Sequence, residues 1–121
     1  MAKVLVIEDS ATERHGIKEA LESAGHTVIE CDNGEDGVAR SKEEQPDLIL
    51  MDIVMPGMNG FQATRAITRD DATKDIPVII VTTKSQETDR LWGERQGAID
   101  YLTKPVKADD LLAVVSKHLP G

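Results

Sequence analysis

The sequence predicts an α/β fold built on a parallel sheet, and three observations predict it. Short all-apolar runs recur along the chain, at Val4-Leu5-Val6-Ile7, Leu48-Ile49-Leu50-Met51 and Val78-Ile79-Ile80-Val81. Such runs are the pattern of strands buried on both faces. Segments of helical periodicity alternate with them, which implies right-handed crossovers between parallel strands. The runs also end in groups that carry chemistry: Glu8-Asp9, Asp52 and Thr82-Thr83. In an open parallel sheet, ligands are met at the carboxyl ends of the strands.

Each element has its own signal. Residues 3–7 form the first strand. Ser10-Ala11-Thr12-Glu13 reads as a capping box opening a helix, Ile17, Leu21 and Ala24 give its apolar stripe, and Gly25 stops it. Residues 27–31 form a short second strand. Asp32-Asn33-Gly34 turns the chain, and Asn33 caps a helix that runs to about Glu44, before Pro46. The third strand spans 47–52, and a helix follows over about 59–69 with Phe61, Thr64 and Ile67 on one side. A polar loop at 70–75 leads to the fourth strand at 77–81. A fourth helix is expected over 85–96, with Gly97 after it. The fifth strand spans 99–103, and the last helix runs from Val106 or Lys107 to about Leu119 with Leu111, Leu112, Val115 and Leu119 inward. Five strands and five helices fit the flavodoxin-like doubly wound (βα)5 fold, sheet order 2-1-3-4-5, with helices on both faces.

Composition narrows the function. With 121 residues, one domain spanning 1–121 is expected, with no output domain. Acidic residues number 22 against 14 basic, a formal net charge of -8, which argues against nucleic acid and anionic membrane as partners. It suits metal cations or a basic protein surface. The single Cys31 leaves no internal disulfide and fits a reducing, cytoplasmic compartment. Between Glu30 and Asp32 it reads as packing rather than as a nucleophile. No apolar run approaches transmembrane length, and Met1-Ala2-Lys3 leads straight into a strand without a signal peptide.

In the predicted order, Glu8, Asp9, Asp52, Thr82 and Lys104 converge on one edge of the sheet. Three close carboxylates repel each other unless a cation joins them. An oxygen-only set with room for water suits Mg²⁺. Asp carboxylates also serve as nucleophiles that form aspartyl phosphates. Lys104 offers a compact positive charge, and the Thr82 hydroxyl a hydrogen bond, to phosphoryl oxygens.

The joint pattern of Glu8-Asp9, Asp52 with Met55-Pro56-Gly57-Met58-Asn59-Gly60, Thr82, and Tyr101-Leu102-Thr103-Lys104-Pro105 resembles the receiver domain of bacterial two-component response regulators. It covers nearly the whole chain and resembles the stand-alone, CheY-like type. Segments such as Phe61-Gln62-Ala63-Thr64-Arg65 and Trp92-Gly93-Glu94-Arg95-Gln96-Gly97-Ala98 look like the stand-alone regulators of type IV pilus twitching motility. The resemblance implies a phosphorelay protein rather than an enzyme. Asp52 would be phosphorylated by a sensor histidine kinase, with Glu8, Asp9, Asp52 and the backbone carbonyl of Val54 holding Mg²⁺. Thr82 and Lys104 would bind the phosphoryl group, the Lys104–Pro105 peptide would be cis, and Thr82 and Tyr101 would switch a partner face made of the fourth helix, fifth strand and fifth helix.

The chain departs from the family pattern in places. Glu8 stands where many relatives carry Asp, Thr83 where Ala or Gly is usual, and Val106 where Phe is commoner. Val54 and Lys84 occupy variable positions that tune the lifetime of the phosphoryl group. Two other classes share features. A haloacid-dehalogenase-like phosphatase also uses a strand-end Asp with Mg²⁺, but its second acid would fall at Val54. A flavodoxin-like flavin binder would need a hydroxyl-rich phosphate loop after the first strand, and aromatics are only 2% of this chain. His15, His26 and His118 are too dispersed for a zinc site, and Trp92 is expected to pack in part against the third helix.

Overall fold

The computed structural model describes residues 2–83 and 87–119. The elements follow in the order β1 (Lys3–Ile7), α1 (Ala11–Ser23), β2 (Thr27–Cys31), α2 (Gly34–Glu44), β3 (Leu48–Asp52), α3 (Gly60–Thr68), β4 (Val78–Thr82), α4 (Glu87–Arg95), β5 (Asp100–Thr103) and α5 (Ala108–His118). All five strands are parallel, in the order β2-β1-β3-β4-β5. This is the doubly wound fold expected. Strand and helix ends differ from expectation by a residue or two, as ends do. The expected start of the fourth helix, at Ser85, and the variable position Lys84 lie outside the described residues.

The alternation of side chains along each strand sorts the core into two layers. Leu5, Ile7, Ile49, Met51, Val78 and Ile80 pack on the side that holds Ala63 and Ile67 of α3. Val4, Val6, Leu48, Leu50, Ile79 and Val81 pack on the other side, against Ile17 and Leu21 of α1 and Leu111 and Val115 of α5. The first strand from Val4 to Ile7 and the third from Leu48 to Met51 are therefore unbroken apolar runs, because each face meets a helix. Leu112 and Leu119 pack at the margin of the second layer.

Caps set the helix starts. Asn59 accepts from the Gln62 N–H while the Gln62 side chain accepts from the Asn59 N–H, a complete capping box. Asn33 caps α2 through the Asp36 N–H. The box expected at α1 is only half made. The Ser10 hydroxyl accepts from the Glu13 N–H, but the Glu13 carboxylate does not return to Ser10; it turns to Lys104. The Ser10 N–H donates to Glu8 Oε2 instead, at 3.0 Å. A carboxylate gains more from an ammonium than from a backbone amide, so the charged partner wins.

Trp92 also departs from expectation. Its side chain is 49% exposed. Gly93 takes the inward position on α4, where an added Cβ would sit 3.5 Å from Ile80 and 3.7 Å from Phe61. One residue of helix turns the chain by about a third of a revolution, which carries Trp92 off the buried side. Gly93 is the buried residue of α4 among those described, so this helix is held far more thinly than α1 or α5.

Gly60 makes the tightest backbone approach. A Cβ there would lie 2.0 Å from the Asp52 carbonyl oxygen and 2.7 Å from Ile53 Cα. Gly16, within α1, has nothing within 4 Å of the same position. Gly60→Ala is therefore expected to destabilise the protein by about 1–3 kcal/mol through overpacking. Gly16→Ala is expected to stabilise it by about 0.5–1 kcal/mol through helix propensity. Urea denaturation of the two variants checks both signs.

Candidate functional site

The site forms where β1, β3, β4 and β5 end. Ile7 pairs with Met51, so the next residues in register, Glu8 and Asp52, stand side by side. The Glu8 N–H donates to the Cys31 carbonyl and continues the sheet by one residue. On the far side, Lys104 donates its N–H to the Thr82 carbonyl at 2.8 Å, which extends β5 in the same way. The Lys104–Pro105 peptide is cis.

Carboxylate oxygens of Glu8, Asp9 and Asp52 all lie within 4.8 Å of one another. Glu8 and Asp52 are buried, at 2% and 5% exposure, and Asp9 is exposed. Lys104 Nζ bonds Glu8 Oε1, sits 2.7 Å from Glu13 Oε2 and 3.2 Å from Asp52 Oδ1. Its own side chain is 9% exposed. Thr82 is fully buried at the end of β4. Val54 lies two residues beyond Asp52, exposed between the buried Ile53 and Met55, and Thr83 is exposed.

Burial dominates the electrostatics. It pushes the Glu8 carboxyl up from its ordinary 4.5 to about 7, against the lowering effect of its bonds to Lys104 and the Ser10 amide, and the charge of Asp52 adds to the rise. Burial likewise raises Asp52 above the usual carboxylate range, with Lys104 opposing. Burial alone would depress the Lys104 ammonium. Hydrogen bonds to Glu13 and Glu8 and the charge of Asp52 outweigh it and hold Lys104 above the ordinary lysine range.

The donor set fits a hard divalent cation. It is all carboxylate oxygen, without nitrogen or sulfur, and it carries more negative charge than Lys104 neutralises. Glu8, Asp9 and Asp52 could hold such an ion.

Tyr101 lies apart from the cluster. It packs on the α3 side of the sheet, with the Arg90 guanidinium 5.8 Å from its ring centroid. By the alternation of side chains, Thr82 in β4 falls on that same side, with Val78 and Ile80. Asp52 alternates with Leu48 and Leu50 onto the α1 side.

Other groups are accounted for locally. Cys31 is a buried thiol, pushed up by desolvation. The three histidines go to three places: His26 Nδ1 accepts from the Ala2 N–H, His15 pairs with Glu19, and His118 lies 2.7 Å from Asp100. Glu13 and Arg14 were not among the expected site residues. Arg14 donates to the Glu8 carbonyl at 2.7 Å and also bonds Glu30. The only sequence signal was their place in the first turn after Glu8-Asp9, a position that faces the strand ends.

The comparisons with known proteins agree with this geometry. Residues 4–116 match the response regulator receiver domain. The chain is 57% identical over 121 residues to the protein PilH of Pseudomonas aeruginosa, covering 100% of both. It is 39% identical over 110 residues to the phosphate regulon transcriptional regulatory protein PhoB of the same species, and spans 48% of that longer protein. Among solved structures it is similar to the chemotaxis protein CheY4 of Vibrio cholerae, with TM-score 0.94, 30% identity, and coverage of 98% of this chain and 99% of the other. It is also similar to the receiver domain of a Pseudomonas aeruginosa sensor histidine kinase solved with a magnesium ion in its active site cleft. That match has TM-score 0.90 and 29% identity, and covers 97% of this chain and 96% of the other.

The raised Glu8 carboxyl has a consequence for stability. Between about 4.5 and about 7 the folded chain keeps a proton on Glu8 that the unfolded chain has lost. Folding stability from this group is therefore full below 4.5 and is lost as pH rises through about 7. Glu8→Gln is expected to remove that slope in metal-free protein, gaining on the parent as pH rises. Thermal unfolding midpoints from pH 4.5 to 8 measure it, and a difference that stays flat with pH would contradict the assignment.

Proposed function

The chain belongs to the response regulator receiver family, and on that premise we propose that Asp52 is its phosphoacceptor, charged by a sensor histidine kinase. The observation that carries this reading is one buried carboxylate at the end of β3 that shares both an acidic cluster and a lysine. The chain acts as an acceptor, not as an independent catalyst. Its transmitted product is its own phosphorylated form.

In the transfer, an Asp52 carboxylate oxygen attacks phosphorus of a phosphohistidine. A P–O bond forms as the P–N bond breaks, and the leaving imidazole keeps the electron pair and takes up a proton. Glu8, Asp9, Asp52 and the Val54 carbonyl are the proposed Mg²⁺ ligands. When bound, the ion supplies charge neutralisation between the carboxylates and the phosphoryl oxygens. Lys104, already 3.2 Å from Asp52, takes on another of those oxygens, and the Thr82 hydroxyl donates to a third. Positioning and neutralisation are most of what this chemistry needs.

The output is read on the face formed by α4, β5 and α5. Phosphorylation draws Thr82 toward Asp52, and Tyr101, on the same side of the sheet as Thr82, moves inward from beneath Arg90. The thin packing of α4 around Gly93 supports such a move. Full-length likeness to PilH supports a role in pilus twitching or chemotaxis-like control in the cytoplasm. No helix of the described residues is long and apolar enough to cross a membrane.

Three outcomes test this reading. Intact-mass analysis with acetyl phosphate and Mg²⁺ is expected to add one phosphoryl group to the parent and none to Asp52→Asn. Asp9→Ala is expected to weaken Mg²⁺ binding and slow labelling together, each by about tenfold or more. Thr82→Ala is expected to accept the phosphoryl group still, while NMR with beryllofluoride finds little change at Tyr101. An unmoved Tyr101 in the activated parent would remove the switch.

A further inference from the structure

The three N–H donors of Lys104 are committed to three carboxylates, and the three are not equivalent. Glu8 and Asp52 are almost fully buried and belong to the acidic cluster. Glu13 does not belong to it. It comes from the first turn of α1, its side chain is 43% exposed, and it gives up a capping box to reach Lys104.

Any oxyanion arriving at Asp52 needs one of those N–H donors. Glu8 and Asp52 are shut off from solvent, so water cannot replace an N–H taken from either, and a buried oxygen left without that donor is costly. Glu13 can exchange the ammonium for water at little cost, because it already meets solvent. The contact that yields is therefore Glu13–Lys104. The face of the sheet agrees, since Asp52 and α1 lie on the same side.

We propose that Glu13 is a positioning residue that holds Lys104 back from an incoming phosphoryl group and so lowers the affinity of the site for that group. The proposal rests on the reading of Lys104 as a phosphoryl ligand. Glu13 thus competes for Lys104 without taking part in the acidic cluster that would hold the metal, and its strength sets how readily the site accepts and keeps a phosphoryl oxyanion.

The experiment is titration of the intact chain with beryllofluoride in the presence of Mg²⁺, followed by ¹⁹F NMR. The variants are Glu13→Gln, Glu13→Asp, Lys104→Met and the double variant Glu13→Gln with Lys104→Met. Glu13→Gln is expected to tighten binding by about three- to fivefold, the scale of a partly exposed ion pair. Glu13→Asp keeps the charge at the helix start but is one methylene short of Lys104, and is expected to tighten binding too, which separates the contact from helix-end electrostatics. Lys104→Met is expected to weaken binding and to abolish the effect of Glu13→Gln. A merely structural Glu13 would move the unfolding midpoint of the metal-free protein and leave these ratios alone. If Lys104→Met weakens binding while Glu13→Gln leaves it unchanged or weaker, the proposal is wrong and the role of Lys104 stands. If Lys104→Met binds like the parent, the role of Lys104 fails and the proposal falls with it.

Discussion

Lys104 stands among three carboxylates with most of its own side chain out of water, and the arrangement of the sheet edge depends on that encounter. Taking one ammonium and two carboxylates out of solvent costs several kcal/mol per ion before their attraction is counted. Well-packed apolar residues would serve stability as well or better. The shift of Glu8 to about 7 records the same cost, because part of the negative charge is relieved by a proton. Charges held at such expense mark a place of chemistry rather than a staple of the fold.

The fold supplies what that encounter needs. Two parallel strands in register bring Glu8 and Asp52 side by side. The third partner comes from across β4, carried by a backbone bond from Lys104 to the Thr82 carbonyl. Alternation then divides the labour. The α1 side holds Asp52 and faces Glu13, while Thr82 and Tyr101 share the α3 side. The proposed acceptor and the proposed switch pair therefore lie on opposite faces of one sheet.

Much of this was legible in the chain itself. The apolar runs at β1, β3 and β4 have the pattern of buried strands, and the residues that end them had to gather at one edge once the order of the sheet was known. What escaped was whatever periodicity cannot carry. Glu13 looked like half of a capping box because local spacing favoured it, whereas the winning partner lies 91 residues away. In α4 Trp92 was expected to pack in part against the third helix, but the inward residue is Gly93, which has no side chain to register in a hydrophobic pattern. Both misses have one cause: a distant or absent side chain decided the geometry.

Trp92 is the chain's one tryptophan, and it stands about half exposed on the helix that forms part of the proposed partner face. Its indole emission is therefore that of a ring in contact with water, with a single Tyr as the other strong ultraviolet absorber. A protein that covers α4 replaces that water with side chains and moves the emission to shorter wavelength. The chain carries, without any label, an optical probe fixed to the surface where its message would be read.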